Sequence, residues 1–385
     1  MRIINPYEGI DFASVPKINA ISHEHINNAT RLKKCYDRGI RFFACVHYQP
    51  ACPTYPLSGW NIPYVDYANI DDGDYTTTTK YYTGAINSFV DKDGNTIYTD
   101  DLAQIPNAEH PKFAIDKNAE APSILQHFNV LGNLWGEVGH GISTAQMAKV
   151  RAHPLWDLND INEMFTSNLL YPGKVFGTIN HNDNYNEAKR FLDNCPTIFK
   201  AMELFNNGSP MEKNQRHRDL YDRLLTEGYR IWGTSVTDWQ DDFRYSEYEC
   251  DRGCNVLLMP DWNTQTVAQR SEAGLDAYIA GQYYMSGFGN HSITGFSIMN
   301  DIVTLNLSDA ATSIVAISNM GKVVVATDSS SIIYAIPKGA TYLRFEVFFN
   351  NDEIHDFIYT NPIWIEGNEI VDDSDKKEQV FLLLS

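Results

Sequence analysis

No stretch of this 385-residue chain approaches the roughly 18 consecutive apolar residues of a membrane-spanning helix. The opening segment, MRIINPYEGIDF, lacks the apolar run of a secretory leader. Positive charge is scarce: 30 Lys and Arg stand against 49 Asp and Glu, a net charge of −19. That balance argues against electrostatic capture of a nucleic acid polymer or an anionic membrane. It tolerates a small anionic substrate, because bound metal cations reverse the sign locally. The six cysteines are scattered. Cys35 and Cys45 lie in apolar segments, as buried thiols do. Cys250 and Cys254 form a C-x-x-x-C without the second pair that a structural zinc site needs. A reducing, cytoplasmic setting is expected, and association with a virion or cell surface stays open. Internal repeats and low-complexity tracts are also lacking.

With 43% hydrophobic and 12% aromatic residues, the chain has ample material for a buried core. Its length suits one large domain and one small one. The segment NNATRLKKCYDRG predicts a helix, with Asn28 or Thr30 as cap, Leu32, Cys35 and Tyr36 as apolar stripe, and Gly39 as stop. Strand-like VPKINAIS precedes it, and the nearly continuous apolar run IRFFACV follows. The first of these strands exits at His23 and His25, the second at His47. Side chains two apart on a strand share a face, so His23 and His25 can aim at one point.

The pattern recurs. KVFGTIN runs into His181, TIFKAMELFN carries Glu203 and Asn206, and YRIWGTSV runs into Asp238. In parallel α/β architectures, sites are built at that strand edge. Residues 53–105, rich in Tyr, Thr, Asp and Gly, read as an insertion containing a hairpin around Asp93-Gly94. From about residue 297 the texture changes to short β-rich runs between turn residues. Residues 1–296 are therefore expected to form one domain, and 297–385 a small antiparallel β-sandwich.

Two further segments, IPNAEHPKFA with Glu109 and ILQHFNVLGN with His127, complete an ordered set of motifs. Together they resemble the PHP (polymerase and histidinol phosphatase) domains, metal-dependent phosphoesterases, over roughly residues 15–290. H-x-H is matched by His23 and His25, and the strand-end histidine by His47. The Pro-Gly-x-Glu element is matched at Glu109, the next histidine by His127, and N-H-P by His181. E-x-x-N is matched by Glu203 and Asn206, and D-x-H by Asp238, with Gln240 in place of the final histidine.

The resemblance implies an α/β fold, a distorted (β/α)7 TIM-like barrel. It implies two divalent transition-metal ions, Zn, Mn or Fe, sharing a bridging hydroxide. One metal would be held by His23, His25, Glu109 and Asp238, and the other by Glu109, His127 and His181. Gln240 is a poor ligand, and Arg31 lies about where another would be expected, so a third metal is not expected. The implied reaction is hydrolysis of a small phosphate mono- or diester. His47 is a candidate acid for the leaving alcohol, and Glu203, Asn206 and Gln240 flank the site. Two other readings stay open: hydrolysis of an amide or ester bond, and a degenerate scaffold that binds a glycan or protein. The sequence is silent on substrate identity and oligomeric state.

Overall fold

The computed structural model describes residues 1–24, 26, 28–48, 55–59, 63–66, 78–81, 86–110, 127–134, 162, 165–167, 169–238, 252–350 and 352–368. The first part of the chain gives β1 (Arg2–Ile4), β2 (Lys17–Ile21), α1 (Ala29–Asp37) and β3 (Phe42–Tyr48). Two antiparallel pairs follow, β4 (Pro63–Asp66) with β5 (Thr78–Tyr81) and β6 (Ser88–Val90) with β7 (Thr96–Tyr98), then β8 (Ala103–His110) and β9 (Phe128–Leu131). The middle gives β10 (Phe176–Ile179), α2 (Tyr185–Asn194), β11 (Phe199–Asn206), α3 (Met211–Thr226), β12 (Trp232–Val236), β13 (Cys254–Leu258), α4 (Val267–Ala280) and β14 (Tyr283–Ser286). The last part is strand throughout: β15 (Ile293–Met299), β16 (Ile302–Ser318), β17 (Gly321–Ala335), β18 (Tyr342–Phe349), β19 (Asp352–Thr360) and β20 (Ile363–Glu366).

Helix ends follow local chemistry. Asn28 caps α1, its side chain accepting the Arg31 N–H at 2.9 Å. Asn184 does the same for α2, accepting from Asn186 and Glu187. Thr266 and Gln269 form a reciprocal capping box at α4, which stops at Gly281 in a left-handed turn (φ 70°).

Sixteen strands form one mixed sheet, ordered β1-β20-β18-β19-β14-β13-β2-β3-β8-β9-β10-β11-β12, with β15, β16 and β17 attached beside β18. This corrects the expected (β/α)7 TIM-like barrel. Such a barrel requires parallel neighbours throughout, each followed by a helix. Here β2, β3 and β8 are parallel, as are β10, β11 and β12. The pairs β13–β2, β8–β9 and β9–β10 are antiparallel. Helical crossovers join β2 to β3, β10 to β11 and β11 to β12, whereas β3 reaches β8 through the short strands β4 to β7. The barrel expectation extended a genuine β-α-β signal beyond the strands that carry it. The C-terminal strands β15 to β20 pair antiparallel, and β19 also hydrogen-bonds β14, so they are continuous with the main sheet.

The sheet bends until β12 returns beside β13, and one side chain bridges them. Asn255 Oδ1 accepts the Ser235 N–H at 3.0 Å, and its Nδ2 lies 3.2 Å from the Ser235 carbonyl. One face of the curved strands is apolar toward one end, with Ala20, Phe42, Ile105, Leu131, Phe176 and Leu257 packed under Leu275 and Tyr278 of α4. Along those strands the same alternation then delivers polar residues: Asn107, Asn129, Thr178 and Glu203, all at most 2% exposed. The opposite face, with Phe128, Val130, Ile179 and Met202, packs on Phe191 of α2 and Leu220 and Leu224 of α3.

A buried charge network fastens α3 to β18. The Arg344 guanidinium, fully buried, lies 2.7 Å from Asp222 Oδ1 and 2.8 Å from Glu346 Oε1. Burial alone would raise the Glu346 carboxyl, but Arg344, Arg218 and Lys322 outweigh it and hold it below the usual range. A depressed carboxylate contributes stability that is complete above its unfolded value of about 4.3 and is lost as pH falls through the lower folded value. We expect Glu346→Ala to cost about 3–5 kcal/mol at neutral pH, because it strands buried guanidinium charge. Urea denaturation at pH 7 measures it, and the gap between Glu346→Gln and wild type should narrow toward pH 3.

Candidate active site

The parallel strands β2, β10, β11 and β12 end at one edge of the sheet, delivering His23, His181, Glu203 with Asn206, and Asp238. Antiparallel β9 runs the other way, so the residue before its start, His127, arrives at that edge. The Asn180 N–H donates to the His127 carbonyl at 3.0 Å and locks the two together.

Glu203, fully buried, organises the group. Its Oε1 lies 2.7 Å from His23 Nδ1, while Oε2 accepts the His181 main-chain N–H at 2.7 Å and Asn206 Nδ2 at 3.0 Å. A carboxylate receiving these donors fixes the His23 proton on Nδ1 and turns Nε2 toward the site. His23 Nε2 stands 3.1 Å from Asp238 Oδ1. Asn206 Nδ2 also donates to Asp238 Oδ2 at 3.0 Å. His127 Nδ1 and His181 Nε2 are 2.9 Å apart, and His181 Nε2 is 3.9 Å from Asp238 Oδ2. Two ring nitrogens at 2.9 Å require a proton or another cation between or beside them.

Both His181 (φ 30°) and Asp238 (φ 47°) adopt left-handed backbone. Non-glycine residues there store about 1–3 kcal/mol of strain and gather at functional sites. Each is pinned by its own N–H, His181 to Glu203 and Asp238 to the His23 carbonyl at 3.1 Å. Burial, then the neighbouring His127, hold His181 well below its ordinary pKa, so its ring is neutral and keeps a lone pair.

Imidazole and carboxylate are donor types that transition metals accept, and two pairs of them stand as close as neighbouring ligands would. Metal–nitrogen bonds of about 2.0–2.1 Å place adjacent ligand atoms about 2.9–3.4 Å apart, and the 2.9 and 3.1 Å separations fall in that range. The set is incomplete: among the described residues, no group of three or more His, Cys, Asp or Glu is arranged to hold a metal ion. His25 and Gln240 lie outside the described residues. Glu109 and His47 are placed by their backbones alone, Glu109 in β8 paired with Tyr48 and Asn129, and His47 in β3 paired with Ala108. Of the ten expected site residues, six are thus brought together: His23, His127, His181, Glu203, Asn206 and Asp238.

Sequence reasoning missed the supports. Asn214, on the first turn of α3, accepts the Asn206 N–H at 2.9 Å and donates to the Asn206 carbonyl at 3.1 Å. His217, one turn further, is buried beside the His181 main chain, and burial pulls its pKa down to about 3. Buried amides continue below the site, where Asn180 Nδ2 donates to Asn129 Oδ1 and Asn107 Nδ2 to the Ser22 carbonyl at 2.6 Å. The i, i+2 spacings Asn107/Glu109, His127/Asn129 and Thr178/Asn180 carried that signal. Replacing Asn214 by Leu should cost about 1–3 kcal/mol for each main-chain group of Asn206 left unpaired, read as a lowered denaturation midpoint. Comparison with known proteins finds no matching family model, curated protein or solved structure.

Proposed function

We propose that this chain is a metal-dependent phosphoesterase acting on a small phosphate mono- or diester. His23, His25, Glu109, His127, His181 and Asp238 would hold two divalent transition-metal ions, Zn, Mn or Fe. The observation that carries the reading is the meeting of three imidazoles and a carboxylate, from beyond the ends of β2, β10 and β12 and ahead of the start of β9, at 2.9–3.9 Å, over the buried Glu203. It stands on the site and not on a barrel.

Bound metal supplies a Lewis acid that neutralises phosphoryl charge and lowers the pKa of water toward neutrality. The protein's part is orientation. Glu203 sets the His23 tautomer, Asn206 fixes one oxygen of Asp238, and burial keeps His181 unprotonated. His47 is proposed as the acid that protonates the leaving alcohol. Gln240, a neutral side chain in place of the family's final histidine, would be a poor ligand for a third metal.

Metal analysis of purified protein should find about two transition-metal ions per chain, the number the proposed donor set holds. Hydrolysis of p-nitrophenyl phosphate should fall to background in both His23→Ala and Asp238→Ala. Protein that neither retains nor takes up Zn, Mn or Fe would refute the reading. Metal together with turnover of an acetyl ester or amide, and none of phosphate, would replace it with a different hydrolase.

A further inference from the structure

β17 lies at an edge of the sheet. Among the described residues it pairs with β16 alone, so its outer row of main-chain N–H and C=O groups has no strand beside it. Such edges are normally blunted by charge, proline or a bulge. On β17 those devices are confined to the first part of the strand. There the extra residue Val325 slips the register, Asp328 turns left-handed (φ 49°), and Lys322 is drawn aside to Asp222 and Asp219 of α3 at 3.1 and 3.4 Å. From Ser329 to Ile336 there is neither charge nor proline, and Ser331–Ala335 pairs regularly with Ile302–Asn306. The outer face of that stretch is apolar. Ile332 and Tyr334 point into the core with Val303 and Leu305. Ile333 points the other way and is 79% exposed. It shares its face with Met299, 72% exposed, and Ile302, 41% exposed, where Ile302 stands opposite both Met299 and Ala335.

We infer that two copies of this chain join at this edge, β17 pairing antiparallel with β17 of the second copy about a twofold axis at Ile333. An antiparallel strand edge is self-complementary, so a single rotation brings its outward donors to the outward acceptors of its copy. The axis sets the two Ile333 side chains directly opposite each other, and Ser331 of each copy against Ala335 of the other. Charge selects the occupant. A strongly basic or acidic partner finds no counter-charge between Ser329 and Ile336. Two copies, each carrying a net charge of −19, repel, and the repulsion is least where the meeting surfaces are uncharged. The inference is independent of the phosphoesterase reading.

Sedimentation equilibrium of the full chain over a dilution series should give twice the 43.7 kDa chain mass. Ile333→Lys, which sets two ammonium groups face to face across the axis, should return the mass to that of one chain, with circular dichroism confirming the fold. Ile333→Cys should form a disulfide between copies on mild oxidation, beyond any cross-linking of the wild type. Val323→Cys, also on the exposed part of β17 but far from the axis, should not. A wild-type chain that stays monomeric, or a dimer that Ile333→Lys leaves intact, would overturn the proposal. Equal cross-linking through Val323→Cys would overturn it as well. A monomer that Ile333→Lys destabilises would show instead that the chain itself covers this edge.

Discussion

The site is built on one buried carboxylate. Glu203 is cut off from solvent, and an uncompensated carboxylate there would be strongly unfavourable. Its compensation comes from three places in the chain: the His23 ring, the His181 main chain and the Asn206 amide. Those donors lie at the ends of β2, β10 and β11, which are distant in sequence. Satisfying one side chain therefore fixes the relative positions of three strand ends. The positions of His23 and His181 thus follow from the hydrogen-bonding needs of a buried carboxylate beside them.

The mixed sheet makes that meeting possible without a closed ring of βα units. Strands of either direction can deliver a side chain to the same edge, provided the parallel ones do so at their ends and the antiparallel ones at their starts. His127 arrives in the second way, ahead of β9. Curvature supplies the rest. Asn255 stands in for a missing strand pairing between β13 and β12, which brings Asp238 round to His23. Below the site, apolar packing under α4 gives way to buried amides, so the polar layer sits on a rigid floor.

The sequence made strand ends legible because apolar runs ending in His or Asp have a short, local signature. The convergence of His23, His127, His181, Glu203, Asn206 and Asp238 was legible for the same reason. Global topology was not. Whether β8 and β9 run parallel depends on what lies between and beyond them, and no periodicity within IPNAEH or HFNVL encodes it. The continuity of β14 with β19 was hidden too, since a change of texture near residue 297 marks a change in strand type but not a break in hydrogen bonding. Asn214 and His217 escaped notice because polar residues on a helix read as solvated. They are buried only because α3 turns that side back onto the strand it follows.

The strained residues show how firmly the frame is held. Asp238 keeps its left-handed backbone between two constraints. On one side its N–H is fixed to the His23 carbonyl. On the other, the preceding Thr237 hydroxyl lies 2.9 and 3.1 Å from the Arg252 and Gly253 carbonyls. Gly253 approaches so closely that a Cβ there would stand 2.2 Å from the Val236 carbonyl, and its own φ is +78°. No other residue fits both demands. A glycine away from the clustered side chains thus lets the start of β13 lie against the end of β12. The Asp238 carboxylate itself is held toward the imidazoles by Asn206 Nδ2 at 3.0 Å and His23 Nε2 at 3.1 Å.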